Sequence, residues 1–203
     1  NKQAIDKLNY IFDLDFDLDK FYKYLAGHDE LAEMSEFCNG LRLFLAPDPF
    51  ECVISSICSA NNSIKRWTKS VSQIKQNWGN QHGDYYTFPK SNDLLNVYLD
   101  DEEESDLSNI QDISKCTNNL KNCGVGYRAP YMRRASEMFT DEIDLQDIFN
   151  MSYDEAFETI LEVPGVGPKV ADCILLYGFN FREAFPSDVW IKRIVLEYHR
   201  DIS

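Results

Sequence analysis

One lysine and one aspartate of this sequence stand where their side chains could do chemistry. The stretch PGVGPKVADC, residues 164–173, places Lys169 directly after two glycines and two prolines. Proline suits the first position of a helix, where its missing N–H costs nothing, so the stretch predicts a tight turn and a new helix that begins at Pro168. Backbone N–H groups at such a helix start attract anions. The stretch therefore predicts an anion site that carries an amine, although a plain turn that needs glycine only for positive φ explains the glycines equally well.

Asp188 lies nineteen residues further on, at a second predicted helix start. Pro186 and Ser187 precede it in FPSDVWIKRIV, and a carboxylate at this position accepts backbone N–H groups and stays ionised. Lys169, in contrast, lies near the positive end of a helix dipole, which disfavours its charged form. Taken singly, Asp188 is explained by helix capping and Lys169 by a solvent-facing side chain.

The charge of the chain limits the partners that it can bind. Its 203 residues include 34 Asp and Glu against 20 Lys and Arg, a net charge of −14. Such a balance argues against a protein that coats nucleic acid or anionic membrane indiscriminately, so any contact with a polyanion must come from local basic patches. Two patches, residues 65–75 and 121–134, carry four positive residues each.

The cysteines and the hydropathy favour an intracellular protein. The sequence contains no stretch of about 18 apolar residues and no signal peptide pattern. Reduced, buried thiols are expected rather than disulfides, because the domain is large enough not to need cross-links. We expect a reducing compartment inside the cell. The six cysteines are Cys38, Cys52, Cys58, Cys116, Cys123 and Cys173.

Helical patterns cover most of the chain and predict an all-α fold. Apolar residues recur at helical spacing in 17–37, 48–62 and 63–78. The segment 79–93 is rich in Gly, Asn, His, Asp and Tyr and is typical of a loop. SYDE, residues 152–155, is a capping box that starts a helix leading into the glycine turn. The acidic run 100–106 is interpreted as a solvated loop or helix end rather than a metal site. The chain starts at Asn1 without a methionine, and we expect a fragment.

Four motifs in order resemble one family. EVPGVGPKVADCILLYGF and AFPSDVWIKRIV, with DPFECVISSICSANNSIKR and NCGVGYRAPYMRRA upstream, resemble the 8-oxoguanine DNA glycosylase family of the helix-hairpin-helix base-excision glycosylase superfamily. The resemblance covers most of the chain. It implies two helical subdomains with the active site in the cleft between them: residues 1–48 with 149–203 as the helix-hairpin-helix catalytic subdomain, and 49–148 as a helical bundle. The family's N-terminal sheet domain and C-terminal helix are expected to be absent from this chain.

The resemblance also implies a role for each candidate residue. Lys169 would be the nucleophile and Asp188 the catalytic aspartate, while Gly165 and Gly167 would bind DNA in the hairpin. Cys173 would pack against the oxidised base. Trp190 stands where the family often has a phosphate-contacting histidine. Asn61 would fill the gap left by the flipped base, and Tyr127 would wedge into the duplex. Arg66 and Arg128 would read the orphaned cytosine. A cation would be held by the backbone carbonyls of Leu161, Val163 and Val166.

The residue types fit these roles independently. Asn61 and Asn62 lie at a predicted helix end with amides suited to base edges, and arginine offers a planar fork. Alone, Tyr127 is a core or surface tyrosine, Arg66 a solvated arginine and Cys173 a buried thiol. No iron–sulfur cluster is expected, because Cys116 and Cys123 have no following cysteine partners.

The predicted function is a base-excision DNA glycosylase with abasic-site lyase activity. It would excise 8-oxoguanine opposite cytosine through a lysine Schiff base, with damaged double-stranded DNA as partner, no required cofactor, no membrane contact and a monomeric state. The resemblance implies the cytoplasm (nucleoid) if the protein is bacterial and the nucleus if it is eukaryotic. One alternative is a glycosylase and lyase for oxidised pyrimidines. Two others are a non-catalytic helix-hairpin-helix DNA-binding module and a helical interaction protein, which the acidity suggests.

Overall fold

The protein is built almost entirely from helices. The computed structural model describes residues 2–97 and 118–198; the acidic run 100–106 and Cys116 lie outside the described residues. Within them, the prediction of an all-α fold is confirmed, since the only strands are two strands of two residues each. A search of the same residues finds no helix with the length and apolar character that a membrane crossing requires.

The helices fall into two compact units, residues 1–47 and 48–203. The first unit contains α1 (Lys2–Ile11), α2 (Leu18–Ala26) and α3 (Asp29–Phe37). The second contains α4 (Pro49–Ser59), α5 (Ile64–Trp78), the strands β1 (Gln81–His82) and β2 (Tyr85–Tyr86), α6 (Ala129–Asp141), α7 (Leu145–Ile148), α8 (Tyr153–Leu161), α9 (Pro168–Phe179) and α10 (Val189–Tyr198). Three short 3-10 helices, Ser91–Leu94, Leu120–Cys123 and Gly126–Arg128, also belong to it. The predicted grouping of 1–48 with 149–203 stays a prediction.

Polar side chains hold the loops of the first unit together. The Tyr22 hydroxyl donates to the Cys38 carbonyl and accepts the Gly40 N–H, both at 2.8 Å. The Arg42 guanidinium donates to the carbonyls of Asp13 at 2.6 Å and Phe16 at 3.0 Å. Because these bonds occupy backbone groups between the helices, they fix the loops without a large apolar core.

The second unit surrounds one apolar core. Its largest fully buried side chains come from α4, α5, α6, α8 and α9 and the segments between them. Ile54 and Ile57 of α4, Met132 of α6 and Ile174 of α9 are each at most 1% exposed. The side of α9 is therefore anchored in the core, and this anchoring positions the residues at its first turn.

The predicted helix starts are confirmed. Asp48 accepts the N–H groups of the first turn of α4, Ser63 caps α5, and Ser152 and Glu155 form the capping box of α8. The apolar stripe predicted for α5 is right at Ile74, which is buried, and wrong at Ile64, which is 76% exposed. Ile64 is the first residue of α5, so its side chain lies beyond the part of the helix that packs on the core.

The segment 79–93, predicted as a loop, contains a small β-hairpin. Gln81 pairs with Tyr86 and His82 with Tyr85 in antiparallel register. Gly83 has φ +62°, which fits the first turn position of a two-residue hairpin loop of type II′. Two-residue strands are too short to produce an alternating pattern, so the sequence did not predict them.

Candidate active site and nucleic-acid interface

A tight turn joins α8 to α9 and presents the start of α9 to solvent. Gly165 has φ +82°, a conformation that glycine adopts readily, and the Val166 N–H donates to the Val163 carbonyl at 3.1 Å. Gly167 is the N-terminal cap of α9 with no capping side chain. The first turn of α9 is therefore open to an external acceptor, as an anion site requires.

Lys169 is the second residue of α9 and lies exposed at this open turn. Its ammonium makes no hydrogen bond or ion pair with any residue that the structure describes. Cys173 follows one helical turn later and is a half-buried free thiol. Behind it, burial raises the pKa of the Cys52 thiol to about 12, so Cys52 stays protonated and inert. Among residues 2–97 and 118–198, Lys169 therefore has no hydrogen-bond or ion-pair partner that would compete with a ligand for its amine.

Asp188 caps the start of α10. Its Oδ1 accepts the N–H groups of Trp190 and Ile191, both at 2.9 Å. The other carboxylate oxygen, Oδ2, has no hydrogen-bond partner in the described part of the chain. The Asp188 side chain is half-buried. Capping thus occupies one oxygen and leaves the second for a ligand. Trp190 is 64% exposed and lies beneath the Arg193 guanidinium, 4.9 Å from the ring centroid.

The end of α4 distinguishes two neighbouring asparagines. Asn62 uses its amide locally: Nδ2 donates to the Cys58 carbonyl at 3.1 Å and Oδ1 accepts the Ser63 N–H at 2.9 Å. Asn61 is exposed, has φ +50° and makes no side-chain hydrogen bond with the described residues. Asparagine tolerates this left-handed conformation better than most residues. Asn61, not Asn62, therefore has an amide available to a ligand.

Arg128 is buried and holds the backbone around Asn61 in place. Its Nε and Nη2 donate to the Ala60 carbonyl, Nη2 also donates to the Asn61 carbonyl at 3.0 Å, and Nη1 donates to the Val125 carbonyl at 3.2 Å. Four of the five guanidinium N–H groups are thus occupied. In the free protein Arg128 has a single N–H, on Nη1, to offer a ligand.

Tyr127 lies next to this arginine and connects it with the glycine turn. The Tyr127 ring is 58% exposed and lies 4.4 Å from the Arg128 guanidinium carbon. Tyr131 packs edge-on against it, with ring centroids 6.3 Å apart. Tyr131 also touches the hairpin: a Cβ added to Gly165 would lie 2.7 Å from Tyr131 Cδ2. Asn61, Arg128, Tyr127, Tyr131 and Gly165 thus form one continuous set of contacts.

A basic face of α5 continues this surface. Lys65, Arg66 and Lys69 are exposed, and the Arg66 guanidinium makes no hydrogen bond, ion pair or ring contact with a described residue. Lys75, counted in the same patch, forms an ion pair with Glu51. The free positive charge of the 65–75 patch therefore lies at the start of α5, close in sequence to Asn61.

Comparisons with known proteins identify the family of this chain. A "Probable N-glycosylase/DNA lyase" of Methanothermobacter thermautotrophicus is 49% identical over 205 residues, which cover 98% of this chain and 65% of that relative. The 8-oxoguanine glycosylase/lyase of Clostridium acetobutylicum in its apo-form superposes with a TM-score of 0.82 at 28% identity, covering 100% of this chain and 67% of that one. Residues 1–53 match the family model described as 8-oxoguanine DNA glycosylase, N-terminal domain. The chain belongs to the 8-oxoguanine DNA glycosylase family.

A further structure of the Clostridium family member contains DNA. It is described as a complex with double-stranded DNA containing cytosine opposite to 8-oxoG, and it superposes with a TM-score of 0.79 at 28% identity, covering 97% of this chain and 63% of that one. The chain spans 65% of the length of the Methanothermobacter relative and 67% and 63% of the chains in the two Clostridium structures. The predicted absence of the family's N-terminal sheet domain and C-terminal helix stays a prediction.

In this family member the structure brings most, but not all, candidate residues together. Lys169, Cys173, Gly165 and Gly167 share the α8–α9 hairpin, and Gly165 joins the contact set that ends at Asn61. No hydrogen bond, ion pair or ring contact connects the side chains of Asp188 or Arg66 with the others in the described ranges. The functional roles of all these residues stay predictions.

Sequence reasoning missed two contacts at this site. Tyr131 lies in GYRAPYMRRA, and its spacing of four from Tyr127 is a helical signal that the two rings meet, but nothing local indicates Gly165 as its other neighbour. The Tyr153 hydroxyl donates to Asp172 Oδ1 at 2.7 Å, tying α8 to α9. Burial first and this bond second raise the pKa of Tyr153 to about 12.

Proposed function

We propose that this chain carries the active site of a bifunctional DNA glycosylase and abasic-site lyase that excises 8-oxoguanine opposite cytosine. The observation that carries the proposal is the amine of Lys169 at the open start of α9, which has no partner among the residues that the structure describes. In the same described part of the chain, Oδ2 of Asp188 also has no hydrogen-bond partner. A module that only binds DNA needs the hairpin N–H groups but neither of these two side chains. Their joint presence supports an enzyme.

Duplex DNA is the proposed partner. The open first turn of α9 offers N–H donors to a backbone phosphate, and Lys65 and Lys69 supply local positive charge on an otherwise acidic protein. Asn61 and Tyr127 are exposed side chains without hydrogen-bond partners in the described ranges, which suits them to fill the gap left by an extruded nucleotide. Extrusion costs a few kcal/mol, and these contacts offset it.

The chemical step uses the Lys169 amine as nucleophile. Unprotonated at the moment of attack, Nζ bonds to C1′ as the bond from C1′ to the base breaks, and the departing base takes up a proton. One amine proton is lost in this exchange, which leaves a secondary amine on C1′. Its nitrogen lone pair then breaks the C1′–O4′ bond, O4′ takes up a proton from water, and the nitrogen keeps its remaining proton in a protonated Schiff base. Loss of a C2′ proton breaks the C3′–O bond and cleaves the strand. Glycosylase and lyase steps thus follow from one covalent bond.

Asp188 stabilises the positive charge that develops on the sugar. Its Oδ1 is fixed by two N–H groups of α10, so the carboxylate is oriented before DNA arrives, and Oδ2 is the oxygen that faces the reaction. A fixed anion costs no reorganisation when the charge appears, which makes it more effective than a mobile one.

The two arginines divide the reading of the opposite cytosine unequally. Arg66 has a whole guanidinium available and can donate to both O2 and N3 of an unpaired cytosine. Arg128 has one N–H left, so it donates to one of these acceptors while its other donors hold Ala60 and Asn61. We therefore assign the larger share of cytosine preference to Arg66.

The proposal also covers a cation, other cofactors and the oligomeric state. A cation at the hairpin would bind the backbone carbonyls of Leu161, Val163 and Val166; the Val163 oxygen already accepts one N–H and keeps a second lone pair for it. No other cofactor and no iron–sulfur cluster is required. We expect a monomer that acts in the DNA-containing compartment of the cell.

The test is incision of duplexes with different lesions opposite each of the four bases, with borohydride trapping in parallel. We expect 8-oxoguanine opposite cytosine to be cleaved fastest and to give a covalent adduct. Cleavage that favours an oxidised pyrimidine would support the pyrimidine alternative. Duplex binding without an adduct would leave a binding module, and no binding at low salt would leave an interaction protein.

Arg66→Ala and Arg128→Ala form a matched pair for the opposite base. Arg66→Ala is expected to cost roughly 1–3 kcal/mol of the preference for cytosine over adenine, because two cytosine acceptors lose their donors. Arg128→Ala is expected to lose part of that preference and also to lower the thermal midpoint, because carbonyls of Ala60, Asn61 and Val125 lose a donor. A uniform loss across all sequences with a flatter salt slope would make either arginine a phosphate contact.

A further inference from the structure

We propose that Tyr131 is a positioning residue that links the glycine turn to the side chains that enter the duplex. The proposal rests on the proposed function, because it concerns how the two DNA contacts of one glycosylase are held in register. Tyr131 touches both of them in the free protein. Its ring, rather than its hydroxyl, makes these contacts.

The contact with the hairpin is close enough to exclude a methyl group. A Cβ on Gly165 would lie 2.7 Å from Cδ2, 3.0 Å from Cγ and 3.2 Å from Cβ of Tyr131. Real Cβ atoms do not approach other atoms this closely, so Gly165 packs directly on the tyrosine. The Tyr131 side chain therefore packs against the glycine turn that precedes α9 and supports its conformation.

The contact with the duplex-entering residues runs through the same ring. Tyr131 meets Tyr127 edge-on at an interplanar angle of 81°, and Tyr127 lies against the Arg128 guanidinium. Arg128 in turn holds the Asn61 carbonyl. Both side chains proposed to fill the duplex gap, Tyr127 and Asn61, are thus connected to the hairpin through Tyr131.

This linkage fixes the distance between two contacts that the protein makes with DNA. The hairpin holds a phosphate, while Tyr127 opens a base step, and the ring between them sets how far apart these two contacts lie. A flexible or smaller side chain would leave each contact present but out of register. The Tyr131 hydroxyl makes no hydrogen bond with the described residues, so its removal should not matter.

The experiment measures base-step opening with 2-aminopurine beside the lesion. Tyr131→Phe keeps the ring and is expected to behave as wild type. Tyr131→Leu is expected to reduce the rate of the fluorescence rise roughly tenfold, a coupling of the size found between residues in contact. Tyr127→Leu should give a similar loss, and the double variant should lose no more than either single one, because each change breaks the same linkage. Affinity for undamaged duplex should stay within about twofold, since the hairpin N–H groups remain.

Three outcomes decide the proposal. Normal opening by Tyr131→Leu would overturn it, as would losses in the double variant that equal the product of the two single losses. A wild-type protein that opens no base step would instead remove the proposed function, and the role of Tyr131 with it. Thermal midpoints identify any variant that fails to fold; Tyr131→Met, which fills a similar volume without a flat ring, then replaces Tyr131→Leu with the same expected loss.

Discussion

Helices α9 and α10 carry the two proposed catalytic residues but are held in opposite ways. α9 is anchored in the core through Ala171, Ile174 and Leu175, none of them measurably exposed, and its start has no capping side chain. α10 is capped by Asp188 through two N–H groups, while much of its apolar surface is exposed, including Val189, Ile194 and Leu196. Helix α9 is thus packed in the core and has an open start, meaning that no side chain caps it. Helix α10 is exposed and has a closed start, meaning that the Asp188 side chain caps it.

The difference follows from where the stability of each helix comes from. Burial of several apolar side chains contributes far more than the ~1 kcal/mol of a cap, so α9 remains a helix with its first N–H groups free. α10 has less packing in the described chain, so its cap matters more. If Asp188 acts as proposed, one residue of α10 both caps the helix and acts on the substrate, whereas in α9 the uncapped start and the side chain of Lys169 are separate features.

The strongest way to break this comparison is to remove the amine from the open helix. Lys169→Gln keeps length and polarity, leaves the first turn of α9 unchanged and deletes the nucleophile. We expect damaged-DNA binding to persist, and base release and the borohydride adduct to disappear. Gel analysis after borohydride treatment measures the adduct. A normal adduct yield from the variant would contradict the assignment of Lys169.

Asp188→Asn tests whether the closed helix needs its cap or its charge. Asparagine still caps a helix, so stability should fall by no more than ~1 kcal/mol. The anion is lost, so single-turnover base release should fall roughly 10²-fold or more. Denaturant unfolding and a turnover assay on the same sample separate the two effects. A stable and fully active variant would leave Asp188 as a cap only.

A capping side chain introduced at Gly167 tests whether the uncapped start of α9 binds phosphate. Gly167 has φ −103°, and a Cβ there would meet nothing within 4 Å, so Gly167→Asp and Gly167→Ser are both accommodated. Either change should stabilise the free protein by a few tenths of a kcal/mol through a new cap. Asp should weaken duplex binding about tenfold, because its charge occupies the phosphate site, and Ser should weaken it less. Equal affinity for all three proteins would mean that the first turn of α9 does not bind phosphate.

The smallest expected effect concerns the hydrogen bond from Tyr153 of α8 to Asp172 of α9. Tyr153→Phe deletes the hydrogen bond to Asp172, which should cost roughly 1–2 kcal/mol of stability with little change in base release. Because the pKa of Tyr153 is raised to about 12, the folded state binds more protons than the unfolded state between pH ~10 and ~12. The stabilisation is therefore complete below pH ~10 and is lost as the pH rises toward 12. Unfolding at pH 8 and pH 11 should show a smaller wild-type advantage at pH 11.

Helix starts were predictable from sequence because their causes are local. Asp48, Ser63, Ser152 and Asp188 each bond to N–H groups two or three residues ahead, and the residue types alone carry that information. The chemistry of the site was likewise suggested by Lys169 beside two glycines, once the family motifs were read with it.

Contacts between distant segments were not predictable in the same way. Arg128 was expected to face cytosine, yet most of its donors bind carbonyls 67 or 68 residues away, and only folding brings those carbonyls near. The packing of Tyr131 on Gly165 has the same cause. Burial of an arginine depends on how helices cross, and neither spacing nor composition encodes that crossing in a single sequence.

The exposed ring of Trp190 makes α10 accessible to measurement by tryptophan fluorescence. The other two indoles each donate a hydrogen bond, Trp67 to Ser55 at 2.9 Å and Trp78 to Asn118 at 2.6 Å, and both pack against the core. Trp190 is in water two residues after Asp188, so its emission lies at longer wavelength and responds to a nucleotide arriving there, while the other two serve as an internal reference. The intrinsic fluorescence of the unlabelled protein is therefore expected to report occupancy beside the Asp188 carboxylate, and Trp190→Phe should abolish that signal.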